Sequence, residues 1–109
     1  MKFDNFIGWE SGVISANFCT QIIQWFESKS EHIIKERKDG VHQDIISNPY
    51  KFGSFQKYHQ PVMASLKQAY RKYSDEYVYC PKDFSLMQHY KIQKSEPDKG
   101  FTAWHSEQG

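Results

Sequence analysis

Two histidine–carboxylate pairs are the residues of this sequence best suited to chemistry. His42 and Asp44 lie two positions apart, and so do His105 and Glu107. Residues at this spacing project to the same side of a strand, and an imidazole with a carboxylate, leaving open coordination positions, is the ligand set of non-haem Fe(II) oxygenases. With 5 His and 13 Asp or Glu in 109 residues, chance supplies roughly 0.6 such pairs. We therefore expect at least one of the two pairs to be accidental.

The surrounding sequence separates the two pairs. His42 and Asp44 lie in DGVHQDIIS, a turn-to-strand stretch, and are expected to be loop or strand-edge residues, with a place in a substrate groove as the alternative. His105 and Glu107 lie in GFTAWHSEQG, after the strand-like LMQHYKIQKS and a glycine turn. The second pair is the better candidate for a metal site, and its alternative is a surface pair at a strand end.

This second string resembles the 2-oxoglutarate- and Fe(II)-dependent dioxygenases of the prolyl 4-hydroxylase superfamily, particularly the short phage and marine bacterial members. In that family a Gln-Lys strand, a turn ending in Gly and an aromatic residue, and then WHxE begin the catalytic barrel. Upstream, ISANFCTQIIQWFE resembles the family's first helix, and LKQAYRKYSDEY resembles the long helix before the barrel. The resemblance spans the given chain, residues 1–109, which corresponds to about the N-terminal half of the family's single domain.

The resemblance implies that His105 and Glu107 are two of three iron ligands, in a site where most members have Asp at the position of Glu107. It implies Fe(II) and 2-oxoglutarate as cofactors, with ascorbate as a further candidate, and hydroxylation of a C–H bond coupled to release of succinate. Lys94 and Ser95 occupy the neighbourhood where the family often has a Tyr that touches 2-oxoglutarate. Tyr90 is the nearest tyrosine and the candidate cofactor-binding residue.

The third ligand of the family, a distal His, and the Arg or Lys that pairs with the far carboxylate of 2-oxoglutarate lie on later barrel strands. The given chain is therefore expected to be a truncated domain that is inactive alone. The alternative function is a non-catalytic interaction module, or a remnant without a working metal site. The substrate, a protein or a small molecule, is not identified by any residue of the sequence.

Two stretches with a period of 3.6 residues predict the helices that support such a site. Ser15 is a candidate N-cap for a helix that ends near Lys29. Its predicted apolar face comprises Phe18, Cys19, Ile22, Ile23 and Phe26. The second helix is predicted from about Gln60 to Glu76, with Pro61 in its first turn. His59 is then expected to be a solvated residue at a helix end, and so is His32.

Shorter apolar stretches predict strands around these helices. Residues 3–14 predict one or two short strands with glycine breaks, and residues 41–46 predict a strand that ends at Asn48 and Pro49. Period-two alternation predicts a strand over residues 86–93, with His89 pointing into solvent or a polar network, and another over residues 101–106. The predicted fold class is α+β, a helical support layer on the first strands of a double-stranded β-helix, or jelly roll.

The sequence contains no motif typical of several other classes of function. GxGxxG, P-loop, GxSxG and HExxH motifs are absent, and Cys19 and Cys80 form no zinc-binding spacing. Lys and Arg number 14 against 13 Asp and Glu, so there is no overall charge to attract nucleic acid. No apolar run approaches the roughly 20 residues of a membrane span. The cysteine spacing and an N-terminus without a long apolar stretch favour a cytoplasmic setting and no membrane partner, and the resemblance implies a bacterium or a phage-infected cell.

Overall fold

The computed structural model describes residues 1–29, 43–82 and 89–97. Its elements are, in chain order, β1 (Lys2–Asp4), β2 (Ile7–Trp9), α1 (Ala16–Glu27), β3 (Gln43–Ser47), α2 (Gln56–Glu76) and β4 (Lys91–Ser95). Two 3-10 turns, Pro49–Lys51 and Gly53–Phe55, connect β3 to α2. The mixture of helices with small antiparallel sheets confirms the α+β class, the coarser part of the predicted fold.

Helix α1 begins where the sequence predicts. The Ser15 side chain accepts a hydrogen bond from the backbone N–H of Phe18 at 3.1 Å, which satisfies one of the free donors of the first turn. At the other end, the backbone N–H of Ser28 donates to the carbonyl of Gln24 at 3.2 Å. The helix therefore ends within two residues of the predicted Lys29.

The buried face of α1 differs from the predicted one. Trp25 and Phe26 are buried, with Phe18 and Ile22 packed against them, whereas Cys19 is exposed. The prediction that Cys19 and Ile23 belong to the core-facing side is wrong, since Ile23 is 59% exposed. Trp25 has the larger apolar surface to bury, and a helix can turn only one stripe toward its neighbours.

Helix α2 begins a turn earlier than predicted, so that Pro61 lies inside the helix instead of in its first turn. Proline has no N–H to donate to the carbonyl four residues back, so the helix loses one backbone bond there. Phe55, Tyr58 and His59 are buried around this first turn, and their burial offsets that loss. The prediction of a solvated His59 is therefore wrong.

Strands β1 and β2 form an antiparallel hairpin with Phe3 opposite Gly8; the sequence predicted one or two short strands here, and the structure has two. Gly8 lies within β2, so it is not the break that the sequence suggested. The turn is made by Asn5 and Phe6, whose φ angles are 48° and 67°. Both values lie in the left-handed region, which is unfavourable for an aromatic residue.

Strands β3 and β4 pair antiparallel, with Ile46 opposite Ile92 and Ser47 opposite Lys91. β3 ends close to the prediction, but β4 begins later than the predicted strand. After Ser47 the chain turns away at Asn48, which has a φ of 50°, so the pairing of β3 with β4 ends at Ser47 and Lys91. Residues 83–88, and the whole predicted strand over residues 101–106, lie outside the described residues.

One hydrophobic core lies between this sheet and the helices. Its buried members are Trp25, Phe26, Ile46, Phe55 and Tyr58, and Ile92 and Tyr90 pack against them. Because side chains alternate across a strand, Asp44 and Ile46 of β3 lie on the face that meets the helices, with Ile92 and Lys94 opposite them on β4. Both helices contribute to this core, α2 through Tyr58 of its first turn, which lies upstream of the predicted helix start at Gln60.

Candidate functional site

The predicted iron ligands His105 and Glu107 lie outside the described residues, and so does His42. Within residues 1–29, 43–82 and 89–97, no group of three or more His, Cys, Asp or Glu side chains could hold a metal ion. The iron site and its cofactors therefore stay predictions from the sequence. The described residues show instead what surrounds the strand that leads toward that motif.

Asp44, the acid of the other histidine–carboxylate pair, lies in β3 on the helix-facing side. Its carboxylate has one buried oxygen without a hydrogen-bond partner among the described residues. Lys94 is its cross-strand neighbour, but the Lys94 ammonium donates to Glu27 at 2.9 Å. That hydrogen bond is the first cause of a raised pKa of Lys94. Asp44 thus belongs to the layer between sheet and helices.

Tyr90, the predicted cofactor-binding residue, precedes β4 and is half-buried against the core. Its hydroxyl lies 2.8 Å from Nδ1 of His59, and the two rings are parallel with centroids 5.8 Å apart. Burial, and then the nearby Tyr50, raise the pKa of the Tyr90 hydroxyl. The hydroxyl is therefore neutral at physiological pH and paired with an imidazole. Contact of Tyr90 with 2-oxoglutarate stays a prediction.

A small aromatic cluster surrounds this hydrogen bond. The Tyr50 ring lies 5.6 Å from the His59 ring, 6.4 Å from the Tyr90 ring and 6.3 Å from the His89 ring, measured between centroids. His59 is only 4% exposed, whereas His89 is exposed, as the sequence predicted. The cluster fixes where β4 starts relative to α2.

Sequence reasoning missed His59 and Tyr50 as members of this cluster. A signal for His59 exists in the chain, because Phe55 and Tyr58, upstream of Pro61, continue the helical spacing of three and four that Val62 and Leu66 set downstream of it. Because Pro61 was placed in the first turn of the helix, the residues upstream of it were not included in the helical pattern. No comparable pattern marks Tyr50, whose position depends on the turn after Asn48.

An open cleft lies beside the cluster, where β3 ends and β4 begins. The described residues that line it are Ser47, Asn48, His89, Tyr90 and Lys91. The backbone N–H of Asn48 donates to the carbonyl of Tyr90 at 2.6 Å across the base of this junction. The cleft thus has a fixed backbone and polar side chains at its rim.

Two further findings bear on the class of protein. Among the described residues, neither helix is both long and apolar enough to cross a membrane. Comparisons with protein-family models, with curated proteins and with solved structures found no match to this chain.

Proposed function

We propose that this chain is the N-terminal part of an Fe(II)- and 2-oxoglutarate-dependent dioxygenase similar to the prolyl 4-hydroxylases, with His105 and Glu107 as two of its three iron ligands. The observation that carries the proposal is the string GFTAWHSEQG, which follows β4 and a glycine turn predicted from the sequence. The proposal requires a further histidine ligand beyond residue 109, since a facial triad has three protein ligands.

The architecture of the described residues is compatible with the start of a jelly roll. Such a barrel needs strands that carry supporting helices on one face and line the barrel interior with the other. In the described part of the chain, the helices pack on the face that bears Ile46 and Ile92. Ser47, Lys91 and Gln93, on the opposite face, are exposed. That face, which also carries the partly buried Ile45 opposite Gln93, is the one we assign to the barrel interior.

The position of Asp44 supports the choice between the two histidine–carboxylate pairs. An iron site must leave positions open to the cosubstrate and to oxygen, so its carboxylate has to face the barrel interior. Asp44 shares the helix-facing side of β3 with the buried Ile46. The pair of His42 and Asp44 is therefore the weaker candidate, and we assign the iron to His105 and Glu107.

In the proposed enzyme, bound iron and 2-oxoglutarate supply the oxidising chemistry. The part of this chain is to position the strand that leads to the ligands and to keep water out of the helix side of the sheet. The core around Ile46 and Ile92 fixes β4, and the Tyr90–His59 hydrogen bond fixes the residue just before it. A site built on strands held in this way keeps its ligands in register.

The first test is the reading frame downstream of Gly109. Codons for further strands with a His and then an Arg favour the enzyme, and a stop codon favours the non-catalytic interaction module. The second test is succinate formation by the product of the complete reading frame, given Fe(II), 2-oxoglutarate and ascorbate. We expect His105→Ala and Glu107→Ala each to abolish turnover and to weaken anaerobic Fe(II) binding, because two remaining ligands cannot fix the metal.

His42→Ala is the matched control, since it removes the histidine of the other pair. Its turnover should stay close to that of the unchanged protein. Equal loss in all three variants, with folding verified by circular dichroism, would mean that the wrong pair was chosen. Full activity in His105→Ala would exclude the proposed iron site.

A further inference from the structure

The cleft between the end of β3 and the start of β4 is lined by groups that favour a negative charge. Lys91 contributes an ammonium, His89 an imidazole, Ser47 a hydroxyl and Asn48 an amide. No carboxylate belongs to the described lining residues. An open cleft with donors and a cation, and without a counter-charge among the described residues, is suited to a carboxylate or phosphate group.

Two lysines of the same strand show how the cleft differs from the rest of the sheet. Lys94 lies on the helix-facing side and is paired with Glu27 at 2.9 Å and with Glu96 at 3.6 Å. Lys91 lies on the opposite face, is exposed, and forms no ion pair among the residues that the structure describes. Its cross-strand neighbour is Ser47, a neutral hydroxyl. The charge of Lys91 therefore remains available to a ligand.

The backbone that carries these groups is held in place by several contacts. Ser47 and Lys91 are the last register pair of the sheet. The N–H of Asn48 is bonded to the carbonyl of Tyr90, and the Tyr90 hydroxyl is bonded to the buried His59. Because the frame is ordered before a ligand arrives, binding costs little backbone entropy.

We infer that this cleft binds the carboxylate or phosphate group of an anionic ligand, with Lys91 as the principal cation and His89 and Ser47 as donors. Since Ser47 and Lys91 lie on the face assigned to the barrel interior, that ligand is the substrate, and the dioxygenase is specific for an anionic one. The substrate assignment rests on the proposed function, whereas binding of the anion does not.

The test is a titration of the ¹⁵N-labelled 109-residue chain with inorganic phosphate at low ionic strength, without iron or 2-oxoglutarate. We expect saturable amide shifts at residues 47–48 and 89–91, with half-saturation at about millimolar phosphate, and a weaker affinity when salt is added. A parallel titration with acetate distinguishes a phosphate ligand from a carboxylate ligand. Tighter binding of phosphate assigns a phosphorylated ligand, and tighter binding of acetate assigns a carboxylic acid.

Lys91→Gln should weaken the binding about tenfold, the effect of losing one charge-assisted hydrogen bond. Lys67→Gln is the matched control, since Lys67 is exposed on α2 and does not line the cleft. Shifts that do not saturate, shifts centred elsewhere, or equal weakening by both variants would overturn the inference. If binding depends on Lys91 but the protein shows no 2-oxoglutarate turnover, the anion site is supported and only the proposed dioxygenase function is excluded.

Discussion

Two regions of this molecule, a core end and a hairpin end, are stabilised by different interactions. At the core end, defined by α1, β3, β4 and the first turn of α2, large side chains are removed from water, and Phe55 is only 1% exposed. At the hairpin end, defined by β1, β2 and the last turns of α2, large apolar side chains stay in solvent. Phe6 is 71% exposed and Ile7 is 65% exposed.

The hairpin end is held mainly by hydroxyl hydrogen bonds and aromatic edges. The Tyr73 hydroxyl donates to the Phe6 carbonyl at 2.7 Å, and the Phe6 N–H donates to the Tyr77 hydroxyl at 3.0 Å. The rings of Phe3 and Tyr77 meet edge to face at 5.8 Å. Exposed hydrogen bonds contribute little net free energy, whereas buried apolar area contributes most of it. The hairpin end should therefore open locally while the core end stays folded.

The largest expected effect comes from truncating the core end. Phe55→Ala removes a ring that packs at 4.7 Å from the Trp25 ring and 5.6 Å from the Tyr58 ring, measured between centroids. We expect it to lower the free energy of unfolding by about 3 to 5 kcal/mol, a large share of the total for a small domain. Urea denaturation followed by tryptophan fluorescence measures the difference.

Phe6→Ala is the matched control at the hairpin end. It removes the same ring from an exposed position, and we expect a loss of less than about 1 kcal/mol. Equal losses in the two variants would show that the exposed hairpin residues contribute as much as the core. The contrast between the two ends would then be wrong.

A smaller effect should separate hydrogen bonding from burial at the hairpin end. Tyr77→Phe keeps the ring contacts with Phe3 and Phe6 but leaves the Phe6 N–H without its partner. The turn residue Phe6 has a φ of 67°, so this bond holds an unfavourable backbone conformation. We expect the hairpin to lose about 0.5 to 1.5 kcal/mol of local stability.

Amide hydrogen exchange measures that change residue by residue. Exchange should accelerate in β1 and β2 and stay constant in β3 and β4. Tyr79→Phe removes a hydroxyl from a fully exposed ring and should change neither region. Acceleration in β3 and β4 by Tyr77→Phe would mean that the two ends unfold together.

The same contrast explains which elements could be predicted from the sequence. The apolar spacing in α1 and the Ser15 cap are local signals, and they located that helix to within two residues. The class of the fold followed from these local periods. The bounds of β4 could not be predicted in this way. They depend on where its partner β3 turns away at Asn48, and the alternation within residues 86–93 does not contain that information.

Burial of individual residues was harder to predict than the elements that carry them. Cys19 and Trp25 both lie near the apolar stripe of α1, and the choice between them depends on what packs against the helix. Trp25 donates its indole N–H to Ser54 at 2.8 Å and packs on Phe55, residues far away in sequence. His59 is buried for a similar reason, since its partner Tyr90 lies 31 residues later. Contacts of this kind have no local signature.

The smallest expected effect is the pH dependence of the ion pair at the hairpin end. The Lys72 ammonium donates to Glu10 at 2.7 Å, and the N-terminal ammonium lies 3.5 Å from the same carboxylate oxygen. The hydrogen bond from Lys72 is the first cause that lowers the pKa of Glu10 below its ordinary value of 4.5. A lowered pKa in the folded state means that the pair contributes stability above pH 4.5, and that this contribution is lost as the pH falls through the pKa of the folded protein.

Lys72→Met removes the first cause and keeps most of the side chain. We expect the pKa of Glu10, measured by carboxyl NMR titration, to rise toward its ordinary value, and the hairpin end to lose part of its acid sensitivity. Lys67→Met, an exposed lysine on the same helix that is not paired with Glu10, should leave the titration unchanged. Added salt should reduce the difference between the two variants, because exposed pairs are screened. An unchanged Glu10 titration in Lys72→Met would show that Lys72 does not lower this pKa, and that the acid sensitivity of the hairpin end does not come from this ion pair.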